Sequence, residues 1–306
     1  MNDSSQKMPA WIAVDWGTSN LRVWAMGADG QVLNQAASDD GMAKLSQDSF
    51  EPALLRLIAP WLGATPTRVI ACGMVGSRQG WHEAPYREVP CAPLGSESLV
   101  TLAATDPRIT VAIAPGLKQA YPADVMRGEE TQIAGALRLM PGYDGVFCLP
   151  GTHSKWVHVS AGEVVSFQTF MTGELFALLS ETSVLRHGMH GDGWDNDAFD
   201  IAVSDALSRP EKFGARLFSL RAEGLIAGLA PSAARARLSG LLIGTELAAA
   251  KPYWLGQRVT LVGATKLSAA YARALSAQNV DAEHLSATDC TLAGLASLVP
   301  LNEVAR

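Results

Sequence analysis

A strand that breaks at a Gly-Thr turn and returns occurs twice in this chain of 306 residues. In the first copy an apolar run, residues 11–14, reads as a buried strand, and Asp15 and a Gly17-Thr18-Ser19-Asn20 turn follow. Residues 22–26 read as the return strand. Gly17 permits a sharp turn and lets a ligand approach the main chain closely. Successive N–H groups there, with the Thr18 and Ser19 hydroxyls, form an anion-sized concavity. Asp15, at the strand end, is placed to hold Mg²⁺ directly or through water. Together these suit a nucleotide phosphate; they also suit a plain hairpin with an Asx turn. In the second copy, residues 146–159, Gly151-Thr152-His153 overlays Gly17-Thr18-Ser19, and Val157 overlays Val23. Leu149 stands where Asp15 stood, while His153 and Lys155 are added as phosphate contacts. Two such copies, each opening half of the chain, imply two similar domains facing one ligand.

The length allows two domains of ordinary size. With 48% hydrophobic and 18% charged residues, there is material for large cores. A net charge of −6 without a basic cluster argues against nucleic acid or an anionic membrane as partner. Cys72, Cys91, Cys148 and Cys290 are dispersed and read as reduced packing residues rather than a disulfide or metal set. Residues 1–9 read as a disordered leader, with no apolar signal segment after it. No run approaches the ~18 apolar residues of a membrane span. The expectation is a soluble cytoplasmic protein acting on a small molecule, with a homo-oligomer left open.

Between the hairpins, residues 31–37 read as a third strand, 50–62 as a helix, and 68–72 and 109–114 as buried strands. Gly73-Met74 follows its strand at once, where open α/β sheets bind ligands. Residues 78–93, with Arg78, Trp81, Tyr86 and Arg87, are too irregular for regular structure. They read as a loop lining a substrate cleft, or as a surface loop anchored by Trp81 and Tyr86. A helix over 129–140 carries Glu129 and Glu130 in its first turn after Gly128, where acids also serve as simple dipole partners. Beyond the second hairpin come a strand at 163–170 and helices at 175–179, 197–207, 213–228 and 232–250. The glycine-rich 187–197 segment resembles a loose metal motif, but its spacing fits no EF-hand, and it reads rather as an ordinary polar loop. A strand over 260–262 runs into Gly263-Ala264-Thr265 and a helix over 266–277, a junction able to receive adenosine or phosphate. The small, apolar 287–299 segment suits close helix packing at a domain boundary. The expected domains are 1–127 and 128–306.

This order resembles the sugar-kinase, actin and Hsp70 superfamily, and within it the 2-dehydro-3-deoxygalactonokinase family. Carrying stretches include residues 15–22, 73–77, 84–86, 125–132, 150–156, 171–174 and 239–244. The resemblance implies an α/β fold of two similar ribonuclease-H-like (actin-like ATPase) domains with an interdomain cleft. It implies ATP and Mg²⁺, with Asp15 on the metal. Gly17, Thr18, Ser19, Asn20, Gly151, Thr152, His153 and Lys155 fall to phosphate, and Gly263, Ala264 and Thr265 to adenosine. Many superfamily members have Gly-Gly where this chain has Gly263-Ala264. Related kinases carry an acidic base, usually Asp, at the start of the connecting helix; here Glu129 or Glu130 stands there.

The implied reaction moves the ATP γ-phosphoryl group to the 6-hydroxyl of 2-dehydro-3-deoxy-D-galactonate, a step of galactonate breakdown. A substrate carboxylate calls for arginine: Arg127 first, then Arg87 and Arg78. Arg127 suits a structural ion pair with a neighbouring glutamate equally well. Trp81 and Tyr86 would pack on the sugar, beside Gly73 and Met74. The alternatives are a kinase for another sugar acid and a phosphatase or nucleotide hydrolase of the same superfamily.

Overall fold

The structure, a computed structural model, describes residues 8–299. Apart from Met8 and Pro9, the expected leader lies outside them. In chain order the elements begin β1 (Trp11–Trp16), β2 (Leu21–Met26), β3 (Val32–Ser38), α1 (Phe50–Ile58), β4 (Thr67–Gly73), β5 (Tyr86–Glu88), β6 (Val100–Leu102), β7 (Ile109–Ile113), β8 (Gly116–Gln119), β9 (Asp124–Met126) and α2 (Glu129–Leu139). There follow β10 (Gly145–Leu149), β11 (Ser154–Ser160), β12 (Glu163–Phe170), α3 (Thr172–Ala177), α4 (Asn196–Ser208), α5 (Phe213–Ile226) and α6 (Pro231–Ala249). The last are α7 (Lys251–Trp254), β13 (Val259–Gly263), α8 (Thr265–Ser276), β14 (Glu283–Ser286) and α9 (Ala287–Ala296).

Two compact units result. The first runs to Tyr143 and takes in Ser160–Val165 and the segment from Ala287; the second holds Asp144–Val159 and Ser166–Ser286. The expected break at 127/128 is thus displaced, and α9 belongs with the first described strands. The reason is packing. A Cβ on Gly135 of α2 would lie 1.8 Å from the Cys290 carbonyl oxygen of α9, and one on Gly294 2.0 Å from that of Thr131. Only glycines allow backbones so close, so α2 and α9 are one packed pair. The close packing expected of 287–299 is present, within the first unit.

In that unit a six-stranded sheet runs β3-β2-β1-β4-β7-β6. Alternation along β1 sends Ile12, Val14 and Trp16 to one face, against Phe50, Leu54 and Ile58 of α1. Trp11 and Ala13 go to the other, with Ile70, Cys72, Leu295 and Leu298. Each large side chain so buried contributes roughly 1.5–3 kcal/mol. Pro60 lacks an amide, so α1 ends at Ile58 and a tighter turn, not the expected helix, reaches Trp61. The 78–93 segment is also more regular than expected: β5 pairs with β8, which pairs with β9.

The second unit's sheet runs β12-β11-β10-β13-β14. The run β3-β2-β1-β4-β7 of the first sheet matches β12-β11-β10-β13-β14 of the second, and β6 is an extra strand antiparallel to β7 at the first sheet's edge. In each sheet the first two strands in sequence pair antiparallel, and β4 and β7, or β13 and β14, follow parallel to the first. The repeat seen in the sequence therefore extends to topology. In α6, Gly240 and Gly244 admit α4: added Cβ atoms would fall 2.5 Å from the Phe199 and 2.7 Å from the Val203 carbonyl oxygen.

The hairpins differ by one residue. Asp15 pairs with Arg22 across the first, and Leu149 pairs with Lys155 across the second. Residues 16–21 are enclosed in one case and 150–154 in the other. The position of Val23 is consequently matched by Trp156, not Val157, and that of Arg22 by Lys155. An overlay on the Gly-Thr pair cannot detect a shortened turn.

All four cysteines are unpaired, Cys72, Cys148 and Cys290 being buried. No helix among the described residues is long and apolar enough to cross a membrane.

Candidate active site

In the second unit the Gly151-Thr152 turn borders a cavity of about 820 Å³, within the range of small-molecule sites. Its wall also takes in Thr172 and Gly173 of α3, Ser239 and Leu242 of α6, and Ala264, Lys266 and Tyr271 around α8. Gly263, Ala264 and Thr265 do form a strand–turn–helix junction: β13 ends at Gly263 and α8 starts at Thr265. Of the three, Ala264 lines the cavity. Gly263 closes on Ser268, and its carbonyl accepts from His284 Nε2 at 3.1 Å.

The turn is buttressed by α3. Glu174 donates its amide to the Thr152 carbonyl at 2.9 Å. A Cβ on Gly173 would lie 2.3 Å from the Gly151 oxygen. Beneath sits Glu246, 2% exposed. Its carboxylate accepts from Trp156 Nε1 at 2.8 Å, from Tyr271 Oη at 2.7 Å and from Thr172 Oγ1. Ser154 in turn lies 2.8 Å from Tyr271 Oη. Burial pushes the Glu246 carboxyl above its ordinary range, against the pull of those donors. One buried acid thus ties the second hairpin, α3 and α8 together. Sequence reasoning passed over it, although a lone acid in the small, apolar 238–247 stretch is a usable signal. His153 was expected on phosphate; its Nε2 meets Glu174 Oε2 at 2.5 Å. Lys155 is 4% exposed, well inside the fold.

In the first unit Asp15 is half-buried, and Arg22 holds its Oδ2 in an ion pair. Arg22 Nη1 also reaches Thr288 at 3.3 Å. The turn is braced from outside: Met42 and Ala43 donate to the Gly17 and Thr18 carbonyls, both at 3.0 Å. Gly41 permits this, since a Cβ there would stand 2.2 Å from the Ser19 carbonyl carbon. Thr18, Ser19 and Asn20 are exposed at the tip. No group of three or more His, Cys, Asp or Glu side chains converges among the described residues. Mg²⁺ commonly takes only one or two protein carboxylates, with waters and phosphates completing its shell. A lone Asp15 beside the turn fits that habit.

At the start of α2 the two glutamates separate. Glu130 is 0% exposed, accepting from the Gly128 amide at 2.7 Å and from Thr131 Oγ1 at 3.0 Å. Burial, and then the charge of Glu129, raise its pKa from 4.5 to about 8. Glu129 is half-buried and accepts from the Arg127 amide at 3.0 Å. Gly73, at φ +89°, fits against Trp16, and a Cβ on Gly128 would meet its Cα at 3.4 Å. Met74, half-buried, follows in a tight turn.

Arg127 lies over the exposed Tyr86 ring, 4.3 Å from its centroid, and donates Nη2 to the Ala84 carbonyl at 2.7 Å. Its Nε and Nη1 are buried with no hydrogen-bond partner among the described residues. The expected alternative, an ion pair with a neighbouring glutamate, is not formed there. Arg87 donates to the Ala92 carbonyl at 2.9 Å, and Arg78 is exposed, 3.9 Å from Glu83. Trp81 turns inward, edge-on to Trp16 with centroids 6.4 Å apart.

These features define an α/β chain of duplicated topology, with a nucleotide-sized cavity on one unit and an arginine–glutamate cluster on the other. The family model described as 2-keto-3-deoxy-galactonokinase matches residues 15–298. A probable 2-dehydro-3-deoxygalactonokinase of Rhizobium meliloti (strain 1021) is 40% identical, over 94% of this chain and 95% of its own. The 2-dehydro-3-deoxygalactonokinase of Escherichia coli (strain K12) is 35% identical, over 94% and 97%. A crystal structure assigned to a 2-dehydro-3-deoxygalactonokinase from Sinorhizobium meliloti superposes with TM-score 0.87 at 38% identity, over 94% of this chain and 97% of that one. Component A of an (R)-2-hydroxyglutaryl-CoA dehydratase from Acidaminococcus fermentans shares the fold alone, with TM-score 0.52 at 11% identity over 97% and 99%. The chain belongs to the 2-keto-3-deoxy-galactonokinase family. It is therefore a kinase, a phosphotransferase, for which ATP is the implied co-substrate.

Proposed function

We propose that the chain transfers the γ-phosphoryl group of ATP to the 6-hydroxyl of 2-dehydro-3-deoxy-D-galactonate in galactonate catabolism. The carrying observation is Arg127: a cation with two unpartnered buried donors, set over Tyr86 and two residues before Glu129. A guanidinium so placed suits a substrate carboxylate. Buried donors without partners are costly, which favours a ligand group that satisfies them. A phosphatase or nucleotide hydrolase has no sugar-acid carboxylate for that cation to hold.

Glu129 is the proposed general base, because its carboxylate is within reach of solvent and that of Glu130 is not. Proton acceptance from the attacking hydroxyl contributes typically ~10²–10⁴-fold. Gly151, Thr152 and Lys266 are placed at the phosphates, where main-chain amides and a cation neutralise charge in the transition state. Gly17 to Asn20 act likewise in the first unit, and Ala264 adjoins the adenosine. Asp15 would hold Mg²⁺, which supplies charge neutralisation on the phosphates when bound. Arg22 keeps that carboxylate oriented. His153, held by Glu174, orders the turn. We also read each unit, from its strand order, as a ribonuclease-H-like domain of the actin-like ATPase type.

The test is ADP release across a panel of 3-deoxy-2-keto sugar acids, with and without Mg²⁺. Release with the galacto-configured acid and Mg²⁺ is expected. Equal ADP release without any sugar acid would favour a hydrolase, and preference for another acid would move the substrate assignment.

A further inference from the structure

The 187–197 segment reads from the sequence as an ordinary polar loop, yet Asp192, Trp194 and Asn196 line the cavity. The helix α6 shows where along it they lie. Its cavity face presents Arg235, Ser239 and Leu242, at i, i+4 and i+7, one stripe of a helix. Toward the C-terminal end of α6, Glu246 grips Trp156 and Thr172, next to the Gly151 turn. Toward the other end, a Cβ on Gly193 would stand 2.9 Å from that of Ser232. From Ser232 to Glu246 the helix rises about 21 Å. The cavity is accordingly elongated, with the Gly-Thr turn at one end and the Trp194 loop at the other.

The two ends differ in chemistry. The turn offers main-chain amides, with Lys266 on the wall. The loop end offers flat groups. Arg235 lies over the Phe176 ring at 4.9 Å, and Trp194 is 40% exposed. The indole is not a loose surface ring. Its Nε1 donates to Asn196 Oδ1 at 3.1 Å, and it packs on Phe199 with centroids 5.5 Å apart. A ring fixed on one side and open on the other, lining the same cavity as a guanidinium, is a stacking platform for a heteroaromatic base.

We propose that Trp194, with Arg235, forms the nucleobase wall of this cavity and that its ligand is an adenine nucleotide. The proposal rests on reading the cavity as the phosphoryl-donor site. It gives a role to residues outside the Gly263-Ala264-Thr265 turn.

The experiment is calorimetric binding of ADP and of inorganic tripolyphosphate to the full chain and to Trp194→Ala, Trp194→Phe and Arg235→Ala. KM values for ATP and for the sugar acid are measured alongside. Stacking losses on alanine substitution predict an ADP Kd raised about 5- to 100-fold in Trp194→Ala. Trp194→Phe should recover most of the affinity, with tripolyphosphate binding and the sugar-acid KM unchanged. An ADP Kd unaltered in Trp194→Ala overturns the proposal, as does an equal loss for tripolyphosphate, which has no base. If the parent chain binds ADP in this pattern but phosphorylates no sugar acid, the proposed reaction fails and the nucleobase wall stands. A parent chain that binds no adenine nucleotide overturns both.

Discussion

Replacing Gly173 by alanine tests whether the second Gly-Thr turn must sit where it does. Gly173 lies in the first turn of α3, and an added Cβ would fall 2.3 Å from the Gly151 carbonyl oxygen and 2.9 Å from Thr152 Cα. Ordinary contact begins near 3.4 Å, so one backbone must retreat by about 1 Å. Both neighbours are main-chain atoms, and no side-chain rotation can relieve the overlap. Alanine in place of glycine also restricts the unfolded chain, an offsetting gain of about 0.4–1 kcal/mol. Stability should therefore change little while the turn is displaced. A displacement of that size at a phosphate site costs on the order of 10²-fold. The assay is coupled ADP release at saturating sugar acid with ATP varied, paired with a thermal melt. A fall in kcat/KM for ATP at near-parental Tm is expected. Activity within a few-fold of the parent would refute the reasoning, because the turn could then move without consequence. Loss of activity together with a collapsed Tm would refute it differently, placing the contact in stability.

Glu129→Gln should lower turnover ~10²–10⁴-fold with ATP binding retained; a loss of only a few-fold would place the base elsewhere. Asp15→Ala is expected to abolish transfer, and near-normal turnover in that variant would remove Asp15 from the reaction. Glu130 gives a pH signature. Its folded pKa, about 8 against 4.5, means that the native state binds the proton more tightly than the unfolded chain. Its contribution to stability is thus present below pH ~4.5 and is lost as pH rises toward ~8, with a ceiling of about 5 kcal/mol. Glu130→Gln should consequently gain in Tm relative to the parent across that window, and a constant difference at all pH values would refute the assignment.

How much was legible follows from which forces act locally. Both hairpins, the Gly73 turn and the Gly263 junction were readable because strand alternation and glycine turns are short-range signals. The membership of α9 was not, because the Gly135–Cys290 and Gly294–Thr131 contacts join segments far apart in sequence. The same limit hid the shortened second hairpin, since pairing register is a property of two strands together. In the candidate site, Arg127 was singled out from its neighbours, but its perch on Tyr86 depends on β5 lying beside β8. Glu129 and Glu130 could be told apart only by burial. Trp194 was passed over because a polar glycine-rich loop carries no periodicity, and its importance comes from α6, some forty residues later.

The return of α9 to the first unit bears on how the molecule is made. During synthesis the face of β1 and β4 that carries Trp11, Ala13, Ile70 and Cys72 waits for Leu295 and Leu298. The second unit has all its residues by Ser286. The strands β1 and β4 are therefore made long before the helix that covers them, and their apolar surface stays open to chaperones or to misassembly until α9 is added.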